Sequence, residues 1–328
     1  MKSILIIQTA FIGDVILATA LIEKLHSFYP EVKIDFLLRK GNESLLKEHP
    51  YLRAVLVWDK KESKHTNLFK IWRKIRRNNY DAVVNLQRFL SSGLLTALSG
   101  ASKRIGFDKN PMSGFFTQRY QHEISTAEDS PHEVSRNLKL IESITDHIFV
   151  GPKLYPSMSD FALVRTSSDY ITISPTSVWF TKQWPAEKWM EFIDTVPRSI
   201  KVSLLGAPTD QAACKQISEG CSHPNIEVKA GDLSLLQSAA LMKGALMNYV
   251  NDSAPLHLCS AMNAPVTAVF LSTVPAFGFT PLSDVSRVVE TTNPLDCRPC
   301  GLHGKAACPL GHFKCAEIKL EYPQHRIN

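Results

Sequence analysis

ALMNYVNDSAPLHLCSAMNAPVTAVF, residues 245–270, is the stretch whose reading decides the fold. An apolar run, Ala245–Val250, stops at Asn251-Asp252-Ser253, and a short helical stretch, Pro255–Met262, follows at once. Asn263 and Pro265 end that helix, and a second β-rich run starts at Val266. Asp and Ser are favoured helix N-caps, and Pro is tolerated in the first turn. The order is therefore strand, tight turn, helix, strand, the repeating unit of a parallel sheet. Ligands of such sheets sit at the carboxyl ends of the strands. Free N–H groups and the positive end of the helix dipole suit a phosphate there. His257, just inside the helix, either donates a further hydrogen bond to that ligand or packs in an ordinary βαβ turn.

The alternation extends outward from this stretch. Upstream, Ser234–Lys243 is an amphipathic helix, and Ile226–Lys229 and Lys201–Leu205 are strands, the latter closed by Gly206–Asp210. Gln211–Glu219 and Glu187–Val196 are helices, and Tyr170–Ser174 is a strand followed by PTSVWFTKQWP. Gly151–Ser168, rich in Pro and Ser, reads as a linker. Before it the pattern runs through strands Lys2–Gln8, Val32–Leu38, Ala54–Trp58, Tyr80–Leu86 and Lys103–Phe107, and helices Ala18–Phe28, Ser91–Leu98 and Glu133–Ile144. Ser113–Glu128 has weak periodicity and reads as a loop. The expected architecture is α/β in two parallel-sheet domains, 1–155 and 165–328.

At the first strand–helix turn, TAFIGD, Gly13 permits a close backbone approach. Asp14 is there either a helix cap or a carboxylate facing a cleft. The fourth strand ends at Gln87-Arg88, again on a carboxyl edge. Asp59–Asn78 crowds Lys60, Lys61, Lys64, Lys70, Arg73, Lys74, Arg76 and Arg77 together. That run is either a solvated helix face or a docking surface for a phosphorylated substrate or anionic lipid.

Length 328 accommodates two domains, and the net charge of +6 fits an anionic ligand or membrane surface. No zinc finger, RNP motif or basic zipper points to nucleic acid. Gln8, Gly13 and Asp14 interrupt the apolar start, so a cytoplasmic chain is expected, with seven cysteines as thiols or metal ligands. Cys297, Cys300, Cys308 and Cys315, near His303 and His312, form either a structural zinc site or a set of reduced thiols.

Thr176, Ser177 and Lys182 follow one strand, and Asp252, Ser253 and His257 another. Hydroxyls, an ammonium and a helix start on one sheet edge describe a diphosphate site. Walker A, GxGxxG and Asp-x-Asp motifs are all missing, which disfavours an NTPase, a dinucleotide dehydrogenase and a metal-held diphosphate.

Seven stretches, in order, resemble one family: TAFIGDVILATALI, VVNLQ, KRIGF, HEVSRNLKLI, SPTSVWFTKQWPAEKW, NDSAPLHLCSAMNAP and CPLGHFKC. The family is the bacterial ADP-heptose:lipopolysaccharide heptosyltransferases, glycosyltransferase family 9. The resemblance implies a GT-B fold, two Rossmann-like domains facing each other across a cleft. It implies an N-terminal acceptor domain, a C-terminal nucleotide-sugar domain, and a last helix that packs back on the first. It further implies inverting transfer of heptose from ADP-heptose to a lipid-linked core sugar, with no catalytic metal. Asp14 then resembles the family's base, and Thr176, Ser177 and Lys182 its phosphate binders, Lys182 also assisting catalysis. Asp252, Ser253, Ala254 and His257 match the donor loop, and Asp210 falls where the family often has a ribose-binding Glu. Gly13, Lys61, Lys64, Gln87 and Arg88 are expected on the acceptor side. Ala254, Gly in many relatives, and Asn85, often Asp, depart from the pattern. Alternatives are another nucleotide sugar for a different surface glycan, or a non-catalytic membrane-associated binding protein. The expected location is cytoplasmic, peripheral on the inner face of the inner membrane.

Overall fold

Runs such as SILII and VTAVF have no polar face, and each becomes a parallel strand buried along its whole length. The computed structural model describes residues 1–60 and 64–322, and the chain divides into two units. One holds Met1–Ile124 with Pro131–Tyr155, the other Ser125–Ser130 with Pro156–Asn328.

The first unit carries strands β1 (Ser3–Ile7), β2 (Lys33–Arg39), β3 (Leu52–Trp58), β4 (Ala82–Asn85), β5 (Lys103–Phe107) and β6 (Gln118–Tyr120). They lie in the order β3-β2-β1-β4-β5-β6, all parallel. Its helices are α1 (Ile12–Phe28), α2 (Lys64–Asn78), α3 (Leu90–Ala97) and α4 (Glu133–Lys139). Ile71 and Ile75 of α2 and Leu95 of α3 pack on one sheet face with Leu5, Leu37 and Trp58. Helix α1, buried from Val15 to Ile22, packs beside α4.

The second unit repeats the plan. Helix α5 (Met158–Val164) precedes β7 (Tyr170–Ser174), α6 (Ala186–Ile193), β8 (Lys201–Leu204), α7 (Gln211–Gly220) and β9 (Ile226–Val228). Then come α8 (Leu235–Gly244), β10 (Asn248–Asn251), α9 (Ala254–Met262), β11 (Val266–Phe270) and β12 (Ser286–Glu290). The sheet order is β12-β11-β10-β7-β8-β9, all parallel. Both orders are doubly wound, and winding reverses between β1 and β4 and between β7 and β10, the positions where such sheets take ligands.

The expected α/β class and its parallel sheets are found, with some revisions. The linker at 151–168 contains α5, started by a reciprocal cap in which Ser157 and Asp160 satisfy each other's backbone N–H groups. The loop expected over 113–128 contains β6, a short polar edge strand with no apolar alternation to reveal it. Helix α4 stops at Lys139, and a separate turn covers Glu142–Ile144. Asn263 does close α9, in a left-handed conformation with φ 46°. Among the described residues no helix follows the turn at Lys314–Ala316, and residues 323–328, where a last helix would fall, lie outside them.

Candidate active site

At the first switch point, β1 enters α1 through Thr9–Phe11. Phe11 is the N-cap residue and has no hydroxyl to cap with, so Asp14 supplies the partner: Phe11 N–H donates to its Oδ2 at 3.1 Å. Burial, reinforced by the negative charge of Glu133 on α4, pushes the Asp14 carboxyl up to about 6. The Phe11 and Asp14 N–H groups and the charge of Arg39 oppose that rise. Asp14 is thus a cap and also a half-buried carboxylate of raised basicity, with Gly13 beside it. Gln87 sits below the surface, its Nε2 donating to Gln8 Oε1, so it ties β4 to β1. Arg88 is exposed, its guanidinium 5.7 Å from the Phe89 ring. Lys64 is the first residue of α2, and Lys61 lies outside the described residues. Two cations were not picked out for this site. Arg39 ends β2 next to β1, and Lys60 Nζ donates to Thr9 O at 3.0 Å and Thr9 Oγ1 at 2.8 Å.

At the second switch point, the segment after β7 carries half-buried Thr176 and Ser177 and turns through Phe180–Lys182. Lys182 Nζ reaches Asp252 Oδ2 at 2.7 Å, with the two side chains 14% and 8% exposed. Thr273 Oγ1, beyond β11, donates to the same oxygen at 2.6 Å. Asp252 therefore does not cap α9 but fixes the ammonium. Ser253 is the N-cap residue, yet its hydroxyl makes no capping bond and donates to Asn251 O at 3.4 Å. His257 is buried in the second turn of α9, its ring centroid 6.3 Å from that of Phe279. Asp210 accepts from Ala207 N–H at 2.7 Å beyond β8. Lys182, Asp252 and Ser253 come together, and Asp210 stands one strand away.

Residues not singled out from the sequence hold this cluster. Asn251, fully buried, accepts from Trp184 N–H at 3.1 Å and donates to Pro175 O at 2.8 Å, stapling both ends of the Lys182 segment. Arg298 donates to Leu271 O at 2.6 Å and Thr273 O at 2.8 Å, fixing the loop that presents the Thr273 hydroxyl. Thr181 Oγ1 accepts from Ser272 Oγ at 2.9 Å and Lys305 N–H at 2.8 Å. The Cys-rich loop is thus a brace for the Lys182 turn.

Among the described residues no group of three or more His, Cys, Asp or Glu side chains stands where it would hold a metal ion. Cys315 is spent in the hydrophobic core with Trp184 and Leu320, and the Cys300 thiol donates to Cys297 O at 3.3 Å. Burial and the neighbouring cysteines raise the Cys315 thiol to about 11, which keeps it protonated.

Two doubly wound sheets with polar clusters at both switch points define a protein of the GT-B glycosyltransferase class. Residues 68–306 match glycosyltransferase family 9 (heptosyltransferase), and the chain belongs to that family. It is 29% identical over 279 residues to lipopolysaccharide heptosyltransferase 3 of Escherichia coli, covering 80% of this chain and 82% of that one. Its fold is similar to E. coli ADP-heptose lps heptosyltransferase II, with a TM-score of 0.77, 21% identity and coverage of 92% and 96%. It is also similar to E. coli heptosyltransferase WaaC with ADP-2-deoxy-2-fluoro heptose, with a TM-score of 0.67, 21% identity and coverage of 88% and 92%.

Proposed function

We propose that this enzyme transfers heptose from ADP-heptose, with inversion, to the lipid-linked inner core of lipopolysaccharide, with Asp14 as general base and no metal required. One observation carries the reading: the Lys182–Asp252 pair lies at the start of α9 on the second switch point. An ammonium beside helix N–H groups suits a diphosphate. ADP-heptose is favoured because proteins of the same fold include an ADP-heptose lps heptosyltransferase and a heptosyltransferase with ADP-2-deoxy-2-fluoro heptose.

The chemistry is a single displacement. Ionised Asp14 accepts the proton of an acceptor hydroxyl while that oxygen attacks the anomeric carbon, a contribution of roughly 10²–10⁴-fold. Attack opposite the departing ADP inverts the centre. A carboxyl titrating near 6 is mostly ionised at neutral pH and is a stronger base than an ordinary aspartate. Lys182 and the N–H groups at the start of α9 meet the charge growing on the diphosphate. Thr176 and Ser177 add hydroxyl donors, and Asp210 takes the ribose. The acceptor lies on the side of Gly13, Arg88 and the basic helix α2, at the inner face of the inner membrane.

Purified protein with ADP-heptose and a core acceptor should release ADP and give the inverted linkage. A saturating donor at 100 times its Kd adds about 2.7 kcal/mol of stability, visible as a thermal shift. A shift with UDP-sugars and none with ADP-heptose would reassign the donor, and donor binding without ADP release would favour a binding protein.

A further inference from the structure

Helix α2 is more apolar than its core requires. Ile71 and Ile75 point into the first sheet. His65, Phe69 and Trp72, at helical spacing on the adjoining face, meet Leu94 and Leu98 of the α3 region instead. They line an open, apolar groove of about 270 Å³. Phe69 is 54% exposed and Leu98 53%, a contiguous apolar surface of the kind that marks an interaction site. The groove is a fixed feature, because Trp72 Nε1 donates to Leu98 O at 2.9 Å and ties its two walls together.

The rim sets the chemistry of the occupant. Lys70, Arg73, Lys74 and Arg77 fill the next arc of α2, and all four are exposed. Neither α2 nor α3 carries an acidic residue. The Arg73 guanidinium lies 6.0 Å from the Phe69 ring, which joins the charged arc to the apolar one. We propose that this groove seats acyl chains of an anionic phospholipid leaflet while the four cations engage the headgroup phosphates. Apolar side chains below a cationic belt are what an interfacial helix presents to such a surface. A second copy of the chain is the weaker occupant, since it would set the same cations against one another. The inference deepens the reading of a lipid-linked acceptor and rests on it for location. Its test uses neither donor nor turnover, so the two fail separately.

The test is sedimentation of the purified chain with phosphatidylcholine vesicles, with and without phosphatidylglycerol. Binding is expected only with phosphatidylglycerol and should weaken as salt rises. Each cation near such a surface strengthens binding about fivefold, so Lys70→Ser with Lys74→Ser should weaken it about 25-fold. Phe69→Ser with Leu98→Ser keeps every charge and should still weaken it at least about tenfold. As a second measurement, lipids brominated in their acyl chains should quench wild-type Trp fluorescence, and Trp72→Phe should remove most of that quenching. Lack of binding to phosphatidylglycerol vesicles would overturn the proposal. So would binding that Phe69→Ser with Leu98→Ser leaves intact, which is charge adhesion without the groove. Light scattering that finds a wild-type dimer and a monomeric Phe69→Ser, Leu98→Ser variant would assign the groove to a second copy.

Discussion

Asp14→Asn is expected to stabilise the protein while removing its activity. The folded carboxyl titrates near 6 against an ordinary 3.8, a difference of about two units. At 1.36 kcal/mol per unit, the ionised group costs the fold on the order of 3 kcal/mol. The sign follows from which state binds the proton. Below pH 3.8 both folded and unfolded chains are protonated, and the penalty is absent. It grows as pH rises toward 6, because the unfolded chain ionises first, and is complete above that. Asn is nearly isosteric and still accepts the Phe11 N–H, so the cap survives. About 2–3 kcal/mol should therefore be regained at pH 8, some 4–12 °C in the transition of a unit this size. At pH 4 the gain should nearly vanish. The assay is paired: thermal melts of both proteins at the two pH values, and ADP release from ADP-heptose. Turnover should fall by roughly 10²–10⁴-fold. Wild-type kcat/KM should rise with pH through about 6 and then level off. A variant that melts like wild type at pH 8, or that turns over like it, would refute the reasoning.

Other substitutions test the surrounding electrostatics and the second unit. Glu133→Gln removes the charge that helps raise Asp14, so the acidic limb of the pH–rate profile should move to lower pH. Lys182→Met should lower kcat/KM by about 10²–10³-fold and abolish the thermal shift on ADP binding, the cost of losing a preorganised charge at a leaving group. Thr273→Val takes one donor from Asp252 and should cost about 1 kcal/mol in denaturant melts while raising the donor KM more than it lowers kcat. Gly304 has φ +80°, and an added Cβ would lie 2.9 Å from Lys182 Cγ and 3.1 Å from Thr181 Oγ1. Gly304→Ala should therefore destabilise by about 1–3 kcal/mol and weaken donor binding in a thermal-shift titration, though residue 304 itself carries no reactive group.

What the sequence revealed was what local chemistry writes. The turn at Asn251–Ser253, the left-handed stop at Asn263 and the first-turn acid at Asp14 are each set by a few consecutive residues, and each is found. Asp252, expected at the helix start, instead binds Lys182, because Lys182 arrives from the neighbouring strand β7. Arg39, Thr273 and Arg298 act across strands whose adjacency is decided by the sheet order, and nothing in their own neighbourhoods announces a role; Asn251 is legible as part of a turn, but not as the staple of the Lys182 segment. Cys315 lies in the apolar core, and the spacing of cysteines along a chain does not by itself fix where their thiols point.

The second site is preorganised at a cost to its own charge. Asp252 and Thr273 hold the Lys182 ammonium in one place, so a diphosphate need not order a side chain that otherwise carries about 2 kcal/mol of rotamer entropy. In exchange the carboxylate cancels part of the positive field the phosphate would feel. That exchange favours the later stage of reaction. A ground-state donor already paired with water and helix N–H groups gains little from a partly neutralised lysine, whereas charge that grows on the departing oxygen meets a donor that needs no reorganisation. Asp252→Asn should accordingly tighten binding of ADP, since the full lysine charge is released, and slow transfer, since the ammonium is no longer held. Isothermal titration with ADP beside single-turnover kinetics separates the two, and parallel losses in both would leave Asp252 as a fold element alone.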